Sequence, residues 1–489
     1  MDIQIPYLNF AALLPLLIVV VTGIIVMIAD LFIADKRSLG WVSLIGVLLA
    51  AAVGAMQQGM PGFDPAFQNM AVTDGYAHFF NLIFLSAAAL SILVALGYLG
   101  RVGLQKGEYY ALLLFSIAGM MMMAAATDLI LIFLGLETMS MALYVMAAFN
   151  RNQRASGEAG IKYFLMGSFA SAFFLYGAAL LYGATGSANL SVIGGVLGGG
   201  GNPIALLGLG LLLIGFAFKI AAVPFHWWTP DVYTGSPTSV TAFMSVGAKA
   251  AGFAALLRLL MVSFPPPTLA GDWQAAIAVL AVLTMTLGNI AALAQKDVKR
   301  MLAYSSIAHA GYILLGVAAG SAAGISAALF YLLAYTFMNI GAFAVIGALE
   351  RQGAVGSNPS ATLRTGIKDY AGLASRNVWL ALGMAIFLLS LTGFPPLAGF
   401  WGKLYLFRAA VQSNLTWLAV IGVLNSGIAA YYYLNVIVQM YMKPVSDEAP
   451  AINLNLVTQV ALGVAALFTV IVGLWPSPVI EMTLRSLFG

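Results

Sequence analysis

The sequence has no cysteine among its 489 residues. Without thiols the chain can form no disulfide bond, no cysteine-bound iron–sulfur cluster and no thiolate zinc site. It also has only three histidines, His78, His226 and His309, which lie far apart in the sequence. A histidine pair for haem or a histidine-based metal cluster is therefore not expected, and the composition predicts no cofactor or metal in this chain.

Charged residues are scarce as well. They make up 8% of the chain, against roughly 25% in a typical soluble protein, and they form no basic run of the kind that binds nucleic acid. Hydrophobic residues make up 62%, the mean hydropathy is +0.97, and the apolar residues fall in runs of about 20. The sequence predicts an all-α polytopic membrane protein without a separate soluble domain. A β-barrel would instead show alternating segments of about ten residues.

The apolar runs predict about 14 membrane spans. The first run lacks a basic n-region and is too long for a signal-peptide core, so we interpret it as a retained span. The segment 377–442 is too long for one or two ordinary helices, and we expect a broken helix through Pro395 and Pro396, followed by a full helix near 415–442. The predicted apolar spans are 8–33, 39–57, 77–99, 109–127, 129–149, 160–184, 203–223, 237–262, 273–294, 301–319, 323–349, 377–400, 401–442 and 454–475.

The positions of lysine and arginine predict the orientation. If the N-terminus lies outside, the inside connections hold 14 of the 21 basic residues, and the outside loops between spans hold none. Only Arg485, in the C-terminal tail, then lies outside. Because positive residues favour cytoplasmic loops, we expect both termini on the outside, which is the periplasm in a bacterium. We interpret the glycine-rich segment 194–203 as a flexible outside loop and the polar segment 351–377 as an ordinary inside loop.

One stretch, 215–249, interrupts the apolar pattern. It places Lys219 beside a helix-breaking proline, Pro224, in the seventh predicted span. Five spans later the motif TGFPPLAGFWGK again places a proline break beside a lysine, Lys403. Because five is odd, the two spans cross the membrane in opposite directions. Paired broken helices in inverted halves indicate an ion pathway near the bilayer midplane, since unwound backbone survives there only where it is buried in protein or lines water.

Three charged residues lie inside apolar runs: Glu137, Lys219 and Lys249. A charge at the centre of a membrane helix costs about 2.5–3.5 kcal/mol, which makes each residue a functional candidate. A lysine poised between the cost of burial and the pull of a carboxylate can load and release a proton. The alternatives are a fixed ion pair for Glu137 and snorkelling for the lysines. Snorkelling suits Arg258, near a span end, better than Lys249, which has about a dozen mostly apolar or small residues on either side.

Other polar residues in the spans have a structural alternative of similar weight. Lys162 lies near the inner end of its span, where snorkelling is a fair rival. Lys403 is the exception and ranks with Lys219, because it lies close to the second proline break as Lys219 does to the first. His309 suits a proton relay, although a hydrogen-bonded core histidine explains it equally well. His226 and Asp231 either form a point of proton uptake or pair with each other.

Together these residues form a row that spans both halves of the chain. Such a row supplies titratable groups for proton transfer but no energy. The sequence shows no redox group, nucleotide-binding loop or metal site, so the driving force must come from an ion gradient or a partner. The residues of the row are Glu137, Lys162, Lys219, Lys249, His309 and Lys403.

Long segments along almost the whole sequence resemble a known family. They closely resemble the subunit N family of the bacterial proton-pumping NADH:quinone oxidoreductase, respiratory complex I. The wider family includes the other two antiporter-like subunits and the large subunits of multi-subunit Na⁺/H⁺ antiporters. The segments are LGLETMSMALYVMAAF (134–149), EAGIKYFLMGSFASAFFLYG (158–177), KIAAVPFHWWTPDVYTGSPTSVTAFMSVGAKAAGFAAL (219–256), QKDVKRMLAYSSIAHAGYILLG (295–316) and SLTGFPPLAGFWGKLYLF (390–407).

The resemblance implies a fold of two inverted five-helix repeats with broken seventh and twelfth helices. We expect an N-terminal three-helix segment at 1–107 and a first repeat, helices four to eight, at 108–262. A second repeat, helices nine to thirteen, is expected at 263–443, with a fourteenth helix at 444–489. Lys162 matches a sixth-helix lysine typical of subunit N.

The resemblance also implies roles for the other residues of the row. Glu137 matches the fifth-helix glutamate that partners the seventh-helix lysine, here Lys219. Lys249 matches the central-axis residue of the eighth helix. His309 matches a position in the connecting polar axis, and Lys403 matches the twelfth-helix lysine assigned to the exit half of the path.

The function implied is that of a proton-translocating subunit in a bacterial inner membrane. Quinone reduction in other subunits would switch the pair of Glu137 and Lys219 and move protons along the axis. NADH, FMN, iron–sulfur clusters and quinone would belong to partner subunits, and neighbouring antiporter-like subunits would be among the partners. The alternatives are a subunit of a multi-subunit cation/proton antiporter, a stand-alone antiporter driven by an ion gradient, and an assembly scaffold whose charges only fix helix packing.

Overall fold

The computed structural model describes residues 9–58, 66–67, 69–198, 202–265, 270–350, 365–445, 452 and 454–487. These residues are mainly helical, and the only β-structure among them is a few isolated bridges. Within the described ranges, eleven helices are long and apolar enough to cross a membrane, and three shorter apolar helices accompany them. Eleven plus three matches the fourteen predicted spans, and each overlaps a predicted span. The predicted span 401–442 is too long, because its first part belongs to the second half of the broken helix and only Thr416–Met442 forms the following span. The predicted all-α polytopic membrane fold is confirmed.

The first third of the chain forms seven helices. Most begin at a short polar side chain, including Asp35, Asp74, Asp128 and Asn189, each of which accepts hydrogen bonds from backbone N–H groups of the first turn. These caps satisfy donors that have no partner inside the helix. The helices are α1 Leu14–Ala29, α2 Lys36–Gln57, α3 Gly75–Tyr98, α4 Gly107–Ala125, α5 Leu129–Ala147, α6 Arg154–Thr185 and α7 Leu190–Leu197.

The middle of the chain forms six helices and contains the first broken span. Asn202, Asp297 and Ser321 cap three of these helices in the same way as in the first third. The helices are α8 Pro203–Lys219, α9 Trp228–Gly235, α10 Thr238–Ser263, α11 Ala270–Leu293, α12 Val298–Ala318 and α13 Ala322–Leu349.

The last part contains the second broken span and the C-terminal helices. Asn377 and Asn455 cap two of them. A short 3₁₀ turn, Ile367–Tyr370, precedes the first helix. The helices are α14 Leu373–Arg376, α15 Val378–Thr392, α16 Ala398–Gln412, α17 Thr416–Met442, α18 Leu456–Leu474 and α19 Ser477–Arg485.

Both predicted breaks are present. α8 ends at Lys219 and α9 begins at Trp228, with Pro224 between them. α15 ends at Thr392 and α16 begins at Ala398 after the two prolines. Each break contains a residue with left-handed backbone, Ala221 at φ +62° and Gly393 at φ +91°. Proline supplies no backbone N–H to continue a helix, which explains why both spans stop at these points.

The core of the molecule is built around α10 and α13. The apolar windows of both helices are 100% buried, and that of α12 is 94% buried, whereas those of α6, α17 and α18 are only 33% buried. A helix that is apolar on all sides and buried on all sides belongs to the interior of a bundle. The helix that carries Lys249 therefore lies at the centre, shielded from lipid by the surrounding helices.

The predicted loops are only partly described. The glycine-rich loop at 194–203 begins inside α7, so its first residues are helical rather than flexible, and 199–201 lie outside the described residues. Of the predicted inside loop at 351–377, residues 351–364 lie outside the described residues, and the rest includes the 3₁₀ turn and α14. The boundaries of the two repeats stay a prediction.

Candidate functional site: a row of buried lysines

Lys219 is held at the C-terminal end of α8, directly before the first break. Its side chain is buried, and Nζ donates a hydrogen bond to Oγ of Ser140 at 2.7 Å. The rings of Tyr144, Tyr163 and Phe218 surround the ammonium at 5.7–5.8 Å. Helix C-termini and aromatic faces both attract cations. The site can therefore hold a charged lysine without a direct counter-ion.

Glu137 does not form an ion pair with Lys219 among the described contacts. Instead its Oε1 accepts a hydrogen bond from Ser171 on α6. Ser140 lies three residues after Glu137 on the same face of α5, and it is the group that contacts the lysine. The expected direct partnership is therefore replaced by an arrangement in which a serine lies beside the carboxylate and binds the ammonium.

Lys249 lies at the middle of α10 and is 2% exposed. Its Nζ donates to Oγ of Ser306 at 2.6 Å and also to the Ser306 carbonyl. The ring of Tyr335 lies 5.9 Å from Nζ. A lysine in the centre of a fully buried helix cannot reach the headgroups, so the geometry excludes snorkelling.

His309 lies between two tyrosine hydroxyls. Nδ1 is 2.6 Å from the hydroxyl of Tyr331, and Nε2 is 2.9 Å from that of Tyr433. The tautomer decides which nitrogen donates. Tyr433 also hydrogen-bonds to Ser305. A histidine with both ring nitrogens hydrogen-bonded to hydroxyls can pass a proton from one side of the ring to the other.

Lys403 lies just after the second break, in α16. Its Nζ donates to the carbonyl of Thr392 at 2.8 Å and to Oγ of Ser426 at 2.7 Å. Thr392 is the last residue of α15, so its carbonyl has no partner in its own helix. The break thus provides an acceptor for the lysine. The ring of Tyr312 lies 4.7 Å from Nζ.

Aromatic rings connect the second half of the row. Tyr335, which contacts Lys249, lies 5.2 Å from the His309 ring. Tyr312, which contacts Lys403, lies 5.7 Å from the same histidine. His309 therefore lies between the two lysines, with one tyrosine on each side. These contacts bring Lys249, His309 and Lys403 into one neighbourhood, and their role as a proton row stays a prediction.

Lys219 lies beside the same central helix. A Cβ at Gly252 of α10 would lie 2.8 Å from Ile220 and 3.4 Å from Cγ of Lys219. Gly252 follows Lys249 by three residues and thus shares its face of the helix. The absence of a side chain at this position lets the Lys219 stem pack one turn away from Lys249.

Lys162 lies apart from the buried lysines. It forms ion pairs with Glu158 at 2.7 Å and with Asp231 at 3.0 Å, and its side chain is 41% exposed. Asp231 is also paired with Arg300 at 2.9 Å. These four residues form a charge network towards the N-terminal ends of α6, α9 and α12. Pairing of Asp231 with His226, one of the two expectations, is replaced by these contacts.

His226 is buried and lies between α8 and α9. Its ring packs 4.9 Å from Trp227, and no hydrogen-bond partner of Nδ1 occurs in the described part of the chain. Its role in proton uptake stays a prediction. No group of three or more His, Cys, Asp or Glu residues within the described ranges is arranged to hold a metal ion.

Two ion pairs, one partly buried and one fully buried, are not predicted from the sequence. Arg258, expected to snorkel, is buried and forms a two-pronged pair with Asp74, with N···O distances of 2.8 and 2.9 Å. Burial raises the pKa of Asp74, but the Arg258 guanidinium outweighs burial and holds that pKa below its usual value. Lys299 and Glu350 form the second pair, with Nζ 3.5 Å from Oε1 and both side chains buried. All four residues lie close to the ends of predicted spans, and their position in the sequence does not indicate a buried partner.

The domain family described as "NADH:quinone oxidoreductase/Mrp antiporter, TM" matches residues 126–429. The chain belongs to this family. A full-length relative, NADH-quinone oxidoreductase subunit N of Trichlorobacter lovleyi, is 49% identical over 99% of both chains. The predicted resemblance to subunit N is confirmed by this and further full-length relatives of the same name.

Solved structures support the same membership. A chain of respiratory complex I from Thermus thermophilus is 37% identical, covers 96% of this chain and 98% of its own length, and has a TM-score of 0.81. A chain of the Mrp complex from Dietzia sp. DQ12-45-1b has a TM-score of 0.82 at 20% identity, covering 98% and 97% of the two chains. The latter likeness shows only that the antiporter-like fold is shared.

Proposed function

We propose that this chain is the subunit N of a proton-translocating NADH:quinone oxidoreductase and carries protons across the membrane. The observation that carries the proposal is the buried row from Lys219 past Lys249 and His309 to Lys403. The row joins two broken helices through α10, one of two helices whose apolar windows are fully buried. Buried ionisable groups in such positions mark proton pathways.

The chemistry of the row concerns protons alone. NADH, FMN, iron–sulfur clusters and quinone are assigned to partner subunits, among them neighbouring antiporter-like subunits of the membrane arm. Quinone reduction in those partners changes the electrostatic surroundings of Glu137. The expected location is the bacterial inner membrane, with both chain termini on the outside. The likeness to an Mrp chain supports an ancestry shared with antiporters, and the subunit N relatives favour the oxidoreductase.

The proposed mechanism begins at Lys219. Ser140 binds the Lys219 ammonium and lies one turn from Glu137. When the negative charge at Glu137 moves away or is neutralised, the buried ammonium loses part of its stabilisation. Lys219 then releases a proton towards Lys249, and the proton continues past His309 to Lys403. Lys403 completes the path at the second break.

The test is proton pumping in inverted membrane vesicles that contain the assembled complex. Lys219→Ala is compared with wild type and with Lys106→Ala, which removes an exposed lysine at a helix start. Oxidation of NADH with an artificial acceptor checks assembly. We expect Lys219→Ala to retain this reaction and to lose quinone-linked turnover and pumping.

Persistence of full pumping in assembled Lys219→Ala complex would show that the buried lysine is structural. The gradient-driven antiporter has its own test, because it requires transport by the purified chain in liposomes without any redox partner. The scaffold hypothesis predicts that assembled, charge-neutral variants of the row pump normally. Pumping by the complex in vesicles and transport by the purified chain in liposomes therefore distinguish the proton-pumping subunit, the stand-alone antiporter and the scaffold.

A further inference from the structure

A buried acid–base pair lies at the end of the molecule predicted to face the inside, and the proposed mechanism does not use it. Glu350 and Lys299 are both 2% exposed. Besides its contact with Glu350 at 3.5 Å, Nζ of Lys299 donates to the Ser236 carbonyl at 2.7 Å. Removing two charges from water is costly unless geometry and hydrogen bonds compensate. A pair that is retained at this depth calls for a functional explanation.

The Glu350 carboxylate is held by hydroxyls from two other helices. Tyr98, at the end of α3, donates to Oε2 at 2.7 Å. Thr238, the first residue of α10, donates to Oε1. The backbone N–H of Thr238 donates in turn to the Tyr98 hydroxyl at 3.3 Å. These hydrogen bonds hold the carboxylate as an oriented proton acceptor at the N-terminal end of α10.

From this carboxylate a line of polar side chains follows α10 to Lys249. Thr238, Thr241, Ser245 and Lys249 are three, four and four residues apart, which places them on one face of the helix. The first three are 0% exposed and the lysine is 2% exposed. Most other positions of α10 are apolar or glycine. Because α10 is fully buried, this polar stripe faces neighbouring helices and not lipid or solvent.

The facing helix α13 contributes a matching set. Asn339 donates through Nδ2 to Oγ of Ser245 at 2.7 Å. Tyr335, one turn earlier on the same face, places its ring 5.9 Å from Nζ of Lys249. The amide oxygen of Asn339 is buried and has no hydrogen-bond partner within the described ranges, so it can accept from water. We call the set Glu350, Thr238, Thr241, Ser245, Asn339 and Tyr335 the inner seam.

The spacing of the inner seam suits proton transfer. From Thr238 to Lys249 the helix rises by about 16 Å, in steps of about one turn or 5.4 Å. Two O–H···O hydrogen bonds in series span roughly the same distance, so one water molecule can connect successive hydroxyls. The burial of α10 and α13 keeps lipid away from this line.

We infer that the inner seam is the route by which Lys249 regains a proton from the inside, with Glu350 as the first acceptor. The inference rests on the proposed function and adds to it the uptake half of the path. A proton from solvent binds a carboxylate oxygen of Glu350 and neutralises its charge. The hydroxyl of Thr238 accepts that proton and releases its own along the seam. The neutral amine of Lys249 receives a proton at the end, and no electron moves.

Lys299 acts on this path as a positioning residue. Its Nζ lies 3.5 Å from Oε1 of Glu350 and donates to the Ser236 carbonyl at 2.7 Å, so that it fixes the carboxylate beside Thr238. The charge network at Asp231 differs from this arrangement. Asp231 forms ion pairs with Lys162 and Arg300, and its side chain is 39% exposed. It therefore lies in a more solvated region than Glu350.

The test uses inverted vesicles, in which the inside face is turned to the medium and the medium pH sets the proton supply. The assembled complex carries Glu350→Gln, Glu350→Asp or Asn339→Leu. Thr336→Val is the matched control, because Thr336 is buried in the same helix but bonds only to the Leu332 carbonyl of its own helix. The variants Lys249→Met and Lys219→Ala test whether the row of buried lysines itself carries protons.

We expect Glu350→Gln to lower the initial rate of pumping by about tenfold, which corresponds to about 1.4 kcal/mol in the barrier. The deficit should grow as the pH of the medium rises, because uptake becomes limiting when protons are scarce. Asn339→Leu should show the same trend. Glu350→Asp should retain most of the rate, and Thr336→Val should match wild type.

Wild-type pumping in Glu350→Gln and Asn339→Leu, together with loss in Lys249→Met, would reject the inner seam and leave the axis intact. A deficit that does not change with pH would also reject it, since a packing defect has that signature. Normal pumping in Lys249→Met and Lys219→Ala would reject the proposed function itself. If Glu350→Gln does not assemble, Glu350→Asp and Asn339→Leu decide the question.

Discussion

The two broken spans hold their lysines by different means. Lys219 precedes its break, at the end of α8, whereas Lys403 follows its break, in α16. Lys219 contacts the Ser140 hydroxyl and three aromatic rings, with Glu137 one turn away. Lys403 contacts the freed carbonyl of Thr392 and a serine. No acidic side chain forms an ion pair with Lys403 in the described part of the chain.

Within the proposed mechanism, this difference favours two kinds of proton site. The first lysine has a carboxylate nearby whose charge can change, so its affinity for a proton can be switched from outside the site. The second is held by fixed dipoles and a tyrosine ring, which do not change charge. The first half therefore suits the trigger, and the second half suits a terminal site that responds to what arrives. The predictions below test this division.

The largest effect is expected at Lys403. Lys403→Met removes the ammonium that binds the Thr392 carbonyl at the second break, and we expect quinone-linked pumping to fall by at least about tenfold, a change of about 1.4 kcal/mol in the barrier. Lys403→Arg should not restore it, because a guanidinium stays protonated. Pumping in inverted vesicles measures both, and NADH oxidation with an artificial acceptor checks assembly. Near-normal pumping by either variant would remove Lys403 from the path.

The next effect concerns Gly393, which shapes the second break. Its φ of +91° disfavours any side chain, and an added Cβ would lie 2.9 Å from Cδ of Lys403. Left-handed backbone costs an alanine about 1–2 kcal/mol. We expect Gly393→Ala to lower both the thermal stability of the complex and the pumping rate. Gly463→Ala, inside α18, where nothing lies within 4 Å of the added Cβ, is the control. It should leave pumping unchanged and should not lower stability, because alanine favours a helix by up to about 1 kcal/mol over glycine.

Much of this arrangement is predictable from the sequence for a simple reason. A run of about 20 apolar residues has few alternatives to a membrane helix, and a proline inside it has few alternatives to a break. The spans, both breaks and the burial of Lys219, Lys249 and Lys403 follow from these two facts. The positions of these lysines can therefore be predicted from the apolar runs and prolines of the linear sequence.

The partners of those residues are not predictable in the same way. Ser140 rather than Glu137 contacts Lys219 because rotamers and helix rotation decide which of two neighbouring side chains points at the ammonium. Glu350 follows the end of α13 and looks interfacial in the sequence. Only the packing of α3, α10 and α12 around it makes it buried. Contacts between distant helices carry no local signal.

Ser140 provides a sharper test of the trigger. The Ser140 hydroxyl contacts Lys219 directly, and a hydrogen bond to a charged group contributes about 1.5–3 kcal/mol. We expect Ser140→Ala to lower the pumping rate, and we expect Glu137→Gln to lower it several-fold further. The serine only orients the ammonium, whereas the glutamate supplies the changing charge. Thr138→Ala, an exposed neighbour bonded only to the Leu134 carbonyl, should leave pumping unchanged.

The variant with the lower pumping rate, Ser140→Ala or Glu137→Gln, shows how Lys219 is controlled. A larger loss in Glu137→Gln indicates control by a changing charge, and a larger loss in Ser140→Ala indicates a site held by neutral groups. If Ser140→Ala abolishes pumping while Glu137→Gln has no effect, the first lysine is held by neutral groups alone. The two breaks would then work in the same way, and the division between trigger and terminal site would be wrong. The same vesicle assay gives this answer.

The smallest effect is expected at Ala221, the counterpart of Gly393 in the first break. Ala221 has φ +62°, a conformation that costs an alanine about 1–2 kcal/mol relative to glycine. Glycine loses about 0.5–1 kcal/mol more conformational freedom on folding, so Ala221→Gly should raise stability slightly or leave it unchanged. Ala217→Gly, inside α8, should instead destabilise by about 1 kcal/mol. Thermal unfolding of the purified complex distinguishes them. Lower stability in Ala221→Gly than in Ala217→Gly would show that the Ala221 methyl packing, rather than backbone strain, governs the first break.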